Sequence, residues 1–258
     1  MKLLFLLVFL IGCTINAEAE LKKEFIEYKH GDTVLGGYLV FEDAVKGKRP
    51  GVLVVHERYG LNDYARMRAE KIAGLGYVAF AIDMYGKGIK AKNAEEAGKL
   101  AGIYRADRKL MRARANAGLE VLRKHNLVDE RQIAAIGYCF GGGAALELAR
   151  SGADIAGVVS FHGILDTPDP GDALNIKARV LVLHGGEDPF VKKEHVIAFQ
   201  EEMRKANIDW QFVIYGGAVH GFTNPESGSD PSKGLAYNEK ADKRSWEAMK
   251  LFFIEIFK

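Results

Sequence analysis

Hydrophobic residues in this chain gather into short runs separated by longer stretches of helical spacing. Gly51 to His56, Tyr77 to Ile82, Gln132 to Ile136, Ile155 to Phe161, Val180 to Leu183 and Trp210 to Tyr215 are brief and mostly apolar. That is the pattern of strands buried on both faces of a sheet. Between them, Tyr64 to Leu75 places Met67, Ile72 and Leu75 near helical spacing, with Asp63 as its N-cap and Gly76 as its stop. Asn93 to His125 reads as mostly helical, and Ala144 to Arg150, Lys192 to Ala206 and Tyr237 to Phe257 as further helices. Near the start, Glu24 to His30 and Val34 to Phe41 flank Gly31-Asp32, which predicts an antiparallel pair at a sheet edge. Strands alternating with helices imply an α/β fold, a mostly parallel, doubly wound sheet with helices on both faces. No repeat, linker or long insertion divides the pattern, so a single domain without a large cap is expected.

Residues 1–19 stand apart. Met1-Lys2 precedes an apolar run from Leu3 to Ile11, then small and polar residues up to Ala17-Glu18-Ala19. This is the layout of a secretory signal, and the run is too short to cross a bilayer as a helix. A second cleavage reading competes. Leu10-Ile11-Gly12-Cys13 resembles a bacterial lipobox, which would leave Cys13 lipidated. Either way the domain of residues 20–258 is expected to be exported, periplasmic or secreted, soluble or lipid-anchored.

Composition changes this picture little, and cysteine usage changes it more. The 258 residues are 48% hydrophobic and 27% charged with a formal net charge of +2, which is ordinary for a globular protein and gives no special attraction to nucleic acid or membrane. Only two cysteines occur. With Cys13 removed or lipidated, Cys139 has no disulfide partner, and an unpaired thiol in an oxidising compartment calls for a reason.

Cys139 sits in Gly137-Tyr138-Cys139-Phe140-Gly141-Gly142, between a strand-like run and a small-residue helical run. Strand, glycine-flanked turn and helix make the context of a nucleophile elbow, where glycines two before and two after the tip avoid collisions with neighbouring backbone. Three further segments place reactive side chains just beyond strand ends, where doubly wound sheets assemble their sites. These are His56-Glu57-Arg58, His184 to Pro189 with Asp188, and Gly217 to Phe222 with His220. The order nucleophile, acid, histidine is that of α/β-hydrolases. In that arrangement His220 takes the thiol proton and passes it to the leaving group, while Asp188 orients the imidazole. The backbone N–H groups of Phe140 and Arg58 are the expected oxyanion donors.

These motifs together resemble the dienelactone hydrolase family. His56-Glu57-Arg58-Tyr59-Gly60-Leu61-Asn62, the elbow from Gly137 to Gly142, the Gly185 to Asp188 turn and Ala218-Val219-His220-Gly221-Phe222 each match a family segment. The resemblance runs from about Phe25 to the C-terminus. It implies that Glu57 sits beside Cys139 and manages the thiol proton; a structural carboxylate paired with Arg58 or a lysine is the other reading of Glu57. It also implies substrate contacts at Tyr85, Lys87 and Asn224. Family members acting on dienelactone carry arginines at the last two positions, and lysine and asparagine cannot reproduce a bidentate fork. This argues against a carboxylated lactone as the natural substrate.

Arg105, Arg108 and Arg112 fall on one side of the long helical stretch and read as a solvated face rather than an anion-binding stripe. His56, His162 and His184 lack the carboxylate or thiol spacing of a metal site, so neither metal nor cofactor is expected. The expectation is thus a monomeric, exported hydrolase that opens a small-molecule ester, lactone or thioester through a Cys139 acyl-enzyme. Two other readings stay open: a catalytically silent scaffold that binds a ligand or partner, and a redox-sensing thiol protein.

Overall fold

The computed structural model describes residues 20–258; the expected signal segment and Cys13 lie outside the described residues. Eight strands form one sheet in the order β1-β2-β4-β3-β5-β6-β7-β8. They are β1 (Leu21–His30), β2 (Thr33–Glu42), β3 (Arg49–Val55), β4 (Val78–Ile82), β5 (Val128–Tyr138), β6 (Gly157–Phe161), β7 (Arg179–Gly185) and β8 (Trp210–Tyr215). β1 and β2 pair antiparallel along their full length, and β2 joins β4 antiparallel. All remaining pairings are parallel.

The helices are α1 (Asp63–Ala73), α2 (Ala94–Ala106), α3 (Arg108–Arg123), α4 (Phe140–Arg150), α5 (Lys193–Lys205) and α6 (Glu239–Ile256). Alternate residues of each central strand serve opposite layers. Leu53 and Val55 pack with Met111, Leu119 and Phe199 on the face of α2 to α5, whereas Val52 and Val54 pack with Ile72, Met249 and Phe253 on the face of α1 and α6. Strands covered on both faces are why the apolar runs are continuous rather than alternating. The chain leaves β3 toward β4 on one side and returns to β5 on the other. That reversal opens a crevice beyond the carboxyl ends of β3 and β5, where the first and second motifs lie.

Several local expectations are corrected. Asn62, not Asp63, caps α1 by accepting the Ala65 N–H at 3.2 Å, and the helix ends at Ala73 with Gly76 in the following turn at φ 91°. The long helical stretch breaks at Asp107, which ends α2 and caps α3 by accepting the Leu110 N–H at 2.9 Å. The helix after the elbow starts at Phe140 and takes in Gly141, Gly142 and Gly143. Low helix propensity put these glycines in a turn, but packing overrides propensity: a Cβ on Gly141 would lie 2.3 Å from the Val55 carbonyl oxygen.

The arginine stripe is not a solvated face. Arg108 is buried against Asp166 at 2.9 Å, and Arg112 bridges Glu147 at 2.7 Å and Asp172 at 2.6 Å. Arg105 alone is half exposed, 3.8 Å from Asp166. The carboxylates that hold this stripe lie 35 to 61 positions further along the chain, beyond the reach of a helical pattern.

Candidate active site

Cys139 stands between β5 and α4 with φ 54° and ψ −116°, a backbone conformation seldom taken by a residue with a side chain. Strain of this kind persists only where its surroundings enforce it. Here the enforcement is visible. A Cβ on Gly137 would meet the Gly141 carbonyl oxygen at 1.9 Å, and the Cys139 N–H is held by Phe161 O at 3.0 Å and by His162 Nδ1 at 3.1 Å. The turn is therefore a nucleophile elbow in geometry as well as in sequence.

His220 reaches this sulfur from the loop after β8. Its Nε2 lies 3.1 Å from Cys139 Sγ, and its Nδ1 lies 2.7 Å from Asp188 Oδ2. Asp188 is itself fixed, since it accepts the N–H groups of Phe190 at 2.8 Å and Val191 at 3.3 Å. The loop of His220 is clamped from below. Arg68, buried beneath it, donates to the Thr223 carbonyl and pairs with Asp242 at 2.6 Å. Sulfur, imidazole and carboxylate thus form one continuous hydrogen-bonded line, in the order read from the sequence.

A family model described as the dienelactone hydrolase family matches residues 35–257. The chain belongs to the dienelactone hydrolase family. It is a hydrolase of the dienelactone hydrolase type, a class acting on lactones and esters. Among solved structures it is similar to m3DLH, with a TM-score of 0.89 and 44% identity over 92% of this chain and 99% of that one. It is also similar to P91, a dienelactone hydrolase-like promiscuous phosphotriesterase from metagenomic libraries, with a TM-score of 0.87, 41% identity and the same coverage. A Yersinia pestis protein to which carboxymethylenebutenolidase activity is attributed is 25% identical over 231 residues, 86% of this chain and 84% of the relative.

The cleft of this dienelactone hydrolase family member has a volume of about 470 Å³ and is open to solvent above Cys139. Glu57, Arg58, Phe140, Ile164 and Phe190 are among the residues that line it. Among the described residues, neither the Arg58 nor the Phe140 N–H is taken by another backbone carbonyl. Phe140 also opens α4, where helix amides favour negative charge. Tyr85 serves this loop from below, its hydroxyl donating to the Arg58 carbonyl at 3.0 Å. His56 does the same from the other side: Nδ1 lies 2.6 Å from the Glu57 carbonyl and Nε2 accepts the Met84 N–H at 3.2 Å.

Glu57 is buried in the cleft wall. It accepts from Asn224 Nδ2 at 2.7 Å and, among the described residues, belongs to no ion pair. Burial pushes its carboxyl up, against smaller lowering effects of Asn224, His220 and Arg68. The ion pair with Arg58 or a lysine, open in the sequence, is thus not what holds it. Asn224 is committed to Glu57 and also accepts the Glu226 N–H at 2.9 Å. Lys87 faces away: it pairs with Glu27 over a separate shallow cleft and lines no part of the Cys139 cavity. Among the described residues no group of three or more His, Cys, Asp or Glu is placed to hold a metal ion.

Sequence reading missed several residues that shape the site. Phe190 stands edge-on to the His220 ring at 5.4 Å, Gly98, Ala101 and Gly102 of α2 form one wall, and Arg105 reaches the rim. A pair of glycines spaced by four inside a helix was the available signal, because each costs about 1 kcal/mol against alanine.

His220 titrates unusually. Burial opposes its charged form, but its interactions with Cys139 and then with Asp188 outweigh this and raise its pKa from 6.5 to about 10. A folded value above the unfolded one means that the resulting stabilisation is complete below about pH 6.5 and is lost as pH rises through about 10. In an NMR titration the His220 imidazole should change near pH 10 in the wild type and at clearly lower pH in Cys139→Ala. An unmoved midpoint would remove the sulfur as the cause.

Proposed function

We propose that this protein hydrolyses carboxylic esters or lactones through a covalent acyl-enzyme on Cys139, with His220 as proton carrier and Asp188 as its orienting acid. The observation that carries the reading is the line from Sγ through 3.1 Å to His220 and 2.7 Å to Asp188, at the strained tip of an elbow in an open cleft. The sulfur attacks the carbonyl carbon, forming an S–C bond, and the carbonyl oxygen becomes an oxyanion facing the N–H groups of Phe140 and Arg58. When the C–O bond breaks, the imidazolium of His220 gives its proton to the departing alkoxide. Water, deprotonated by the now neutral His220, then splits the thioester and returns the sulfur to the pair. Asp188 stays ionised throughout, stabilising the imidazolium and fixing its tautomer.

Glu57 and Asn224 adjust the cleft rather than react. With its own donor in Asn224, the carboxyl of Glu57 does not compete with His220 for the sulfur while the site is as described. Lys87 lines no part of the Cys139 cavity, and Asn224 has no charge to offer, which favours substrates without the carboxylate of dienelactone. Because P91 is a promiscuous phosphotriesterase, phosphotriesters make a sensible second panel of test substrates beside esters and lactones. The basic start and apolar run of residues 1–19 support action after export, which fractionation of a tagged full-length chain would test: a wholly cytoplasmic product would refute it.

A burst of product equal to the enzyme concentration, on mixing with an activated aryl ester, is the direct test. Its absence, with no adduct on Cys139 by mass spectrometry, would return the silent scaffold or the redox thiol to first place.

The wall of α2 should set acyl size. At Gly102 a Cβ would meet nothing within 4 Å, so a larger side chain intrudes on the cleft and not on the protein. Gly102→Leu is expected to lower kcat/KM for bulky acyl esters about tenfold or more, with acetyl esters little changed and melting temperature held or raised. Equal losses on both esters would show that this wall does not contact the acyl group.

A further inference from the structure

His162 is the second strained residue of the site. It follows β6 with φ 39°, is completely buried, and belongs to neither the nucleophile turn nor the loop of the base. Yet it touches both. Its Nδ1 accepts the Cys139 N–H at 3.1 Å, so the ring proton resides on Nε2. Nε2 lies 2.7 Å from the hydroxyl oxygen of Thr223, three positions beyond His220, and donates to it.

The rest of the surroundings hold this bridge in place. The Thr223 hydroxyl is 2.6 Å from that of Tyr64, which also accepts from Arg68 Nε at 3.1 Å. The His162 ring stands edge-on to His220 at 5.3 Å and to Phe222 at 5.1 Å. Burial first, and then the charge of His220, hold the imidazole well below its ordinary pKa. That matters because a protonated Nδ1 could not accept the Cys139 N–H.

The geometric problem it solves is particular to this sheet. Sulfur and base come from the ends of β5 and β8, which are separated by β6 and β7 and share no backbone pairing. Strand register therefore does not by itself set the distance from Sγ to Nε2. We propose that His162 is a positioning residue, a single imidazole that ties the Cys139 turn to the His220 loop and thereby aligns sulfur with base. It transfers no proton in the reaction, since both ring nitrogens are engaged away from the reacting atoms.

This inference rests on the acyl-enzyme reading, and the test separates the two. The full chain would be compared with His162→Leu, His162→Asn, Thr223→Val and Cys139→Ala for kcat and KM on an aryl ester and for the rate of iodoacetamide alkylation. Misplacement of a reacting group by about 1 Å can cost on the order of 100-fold in rate, so His162→Leu should lose roughly that in kcat with KM nearly unchanged. Its alkylation should slow as well, because the sulfur loses an aligned imidazolium.

Asparagine tolerates positive φ and offers an amide oxygen to the Cys139 N–H, so His162→Asn should recover at least about tenfold of that loss. Thr223→Val, which keeps the buried shape, should lose about tenfold in kcat through the broken tie. Wild-type kcat and alkylation in a folded His162→Leu would overturn the proposal. If that variant does not fold, unchanged kcat in Thr223→Val overturns it instead. Full turnover in Cys139→Ala would sink the acyl-enzyme reading itself, whereas a dead Cys139→Ala beside a fully active His162→Leu would sink only the positioning role.

Discussion

Cys139→Ala should lose ester turnover by roughly 10⁴-fold or more, the scale seen when a nucleophile is deleted from a hydrolase triad. Its melting temperature should stay within a few degrees of wild type, because the side chain is only partly buried at the tip of a turn. The loss belongs to chemistry: among the described residues, no other side chain of the cleft is both nucleophilic and hydrogen-bonded to His220. Cys139→Ser is the sharper companion. A hydroxyl gives up its proton far less readily than a thiol, so activity should be weak but measurable. A serine variant as fast as the wild type would argue that the site is built for an alcohol and not for sulfur.

Gly137→Ala is expected to have the largest effect on the fold itself. The added methyl carbon would fall 1.9 Å from the Gly141 carbonyl oxygen and 2.7 Å from the Gly142 nitrogen. Both obstacles are backbone in the first turn of α4, so no side chain can swing away. Overpacking commonly costs up to about 3 kcal/mol, which for a chain of this size is a fall of roughly 6–12 °C in melting temperature. Because relief would come from dragging α4 away from β5, the nucleophile would move with it, and turnover should fall in any protein that does fold. Thermal unfolding and kinetics on the same sample decide this; a stable, active Gly137→Ala would mean that the elbow is far more pliant than its contacts imply.

The chemistry of this site was easier to read from the sequence than its supports. Cys139, Asp188 and His220 announce themselves because each is a reactive side chain in a glycine-containing segment just past an apolar run, and strand ends are where such sheets place function. Glycines around Cys139 were legible for the same reason: two positions where only hydrogen fits. Supports are different, because they join segments far apart in the chain. Arg68 meets Asp242 across 174 positions, and Arg108 meets Asp166 across 58. Neither pair leaves a periodic trace. His162 was visible only as a histidine at a strand end, since its function depends on the φ of one residue and on what Thr223 does 61 positions later. Lys87 failed in the opposite way. Its place after Asp83 and Tyr85 fits the family pattern, but Glu27 on the neighbouring β1 captures it.

The wide spacing of sulfur and base across the sheet has a bearing on how the chain matures. The turn of Cys139 needs β5 with its neighbours β3 and β6, whereas its imidazole needs β8, the edge strand, paired to β7. A chain caught part-way through folding carries a thiol without the imidazole beside it. On the acyl-enzyme reading, a refolding time course should show Cys139 acylated by an activated ester only once β8 has paired with β7; acylation before that pairing would show that the sulfur reacts without His220.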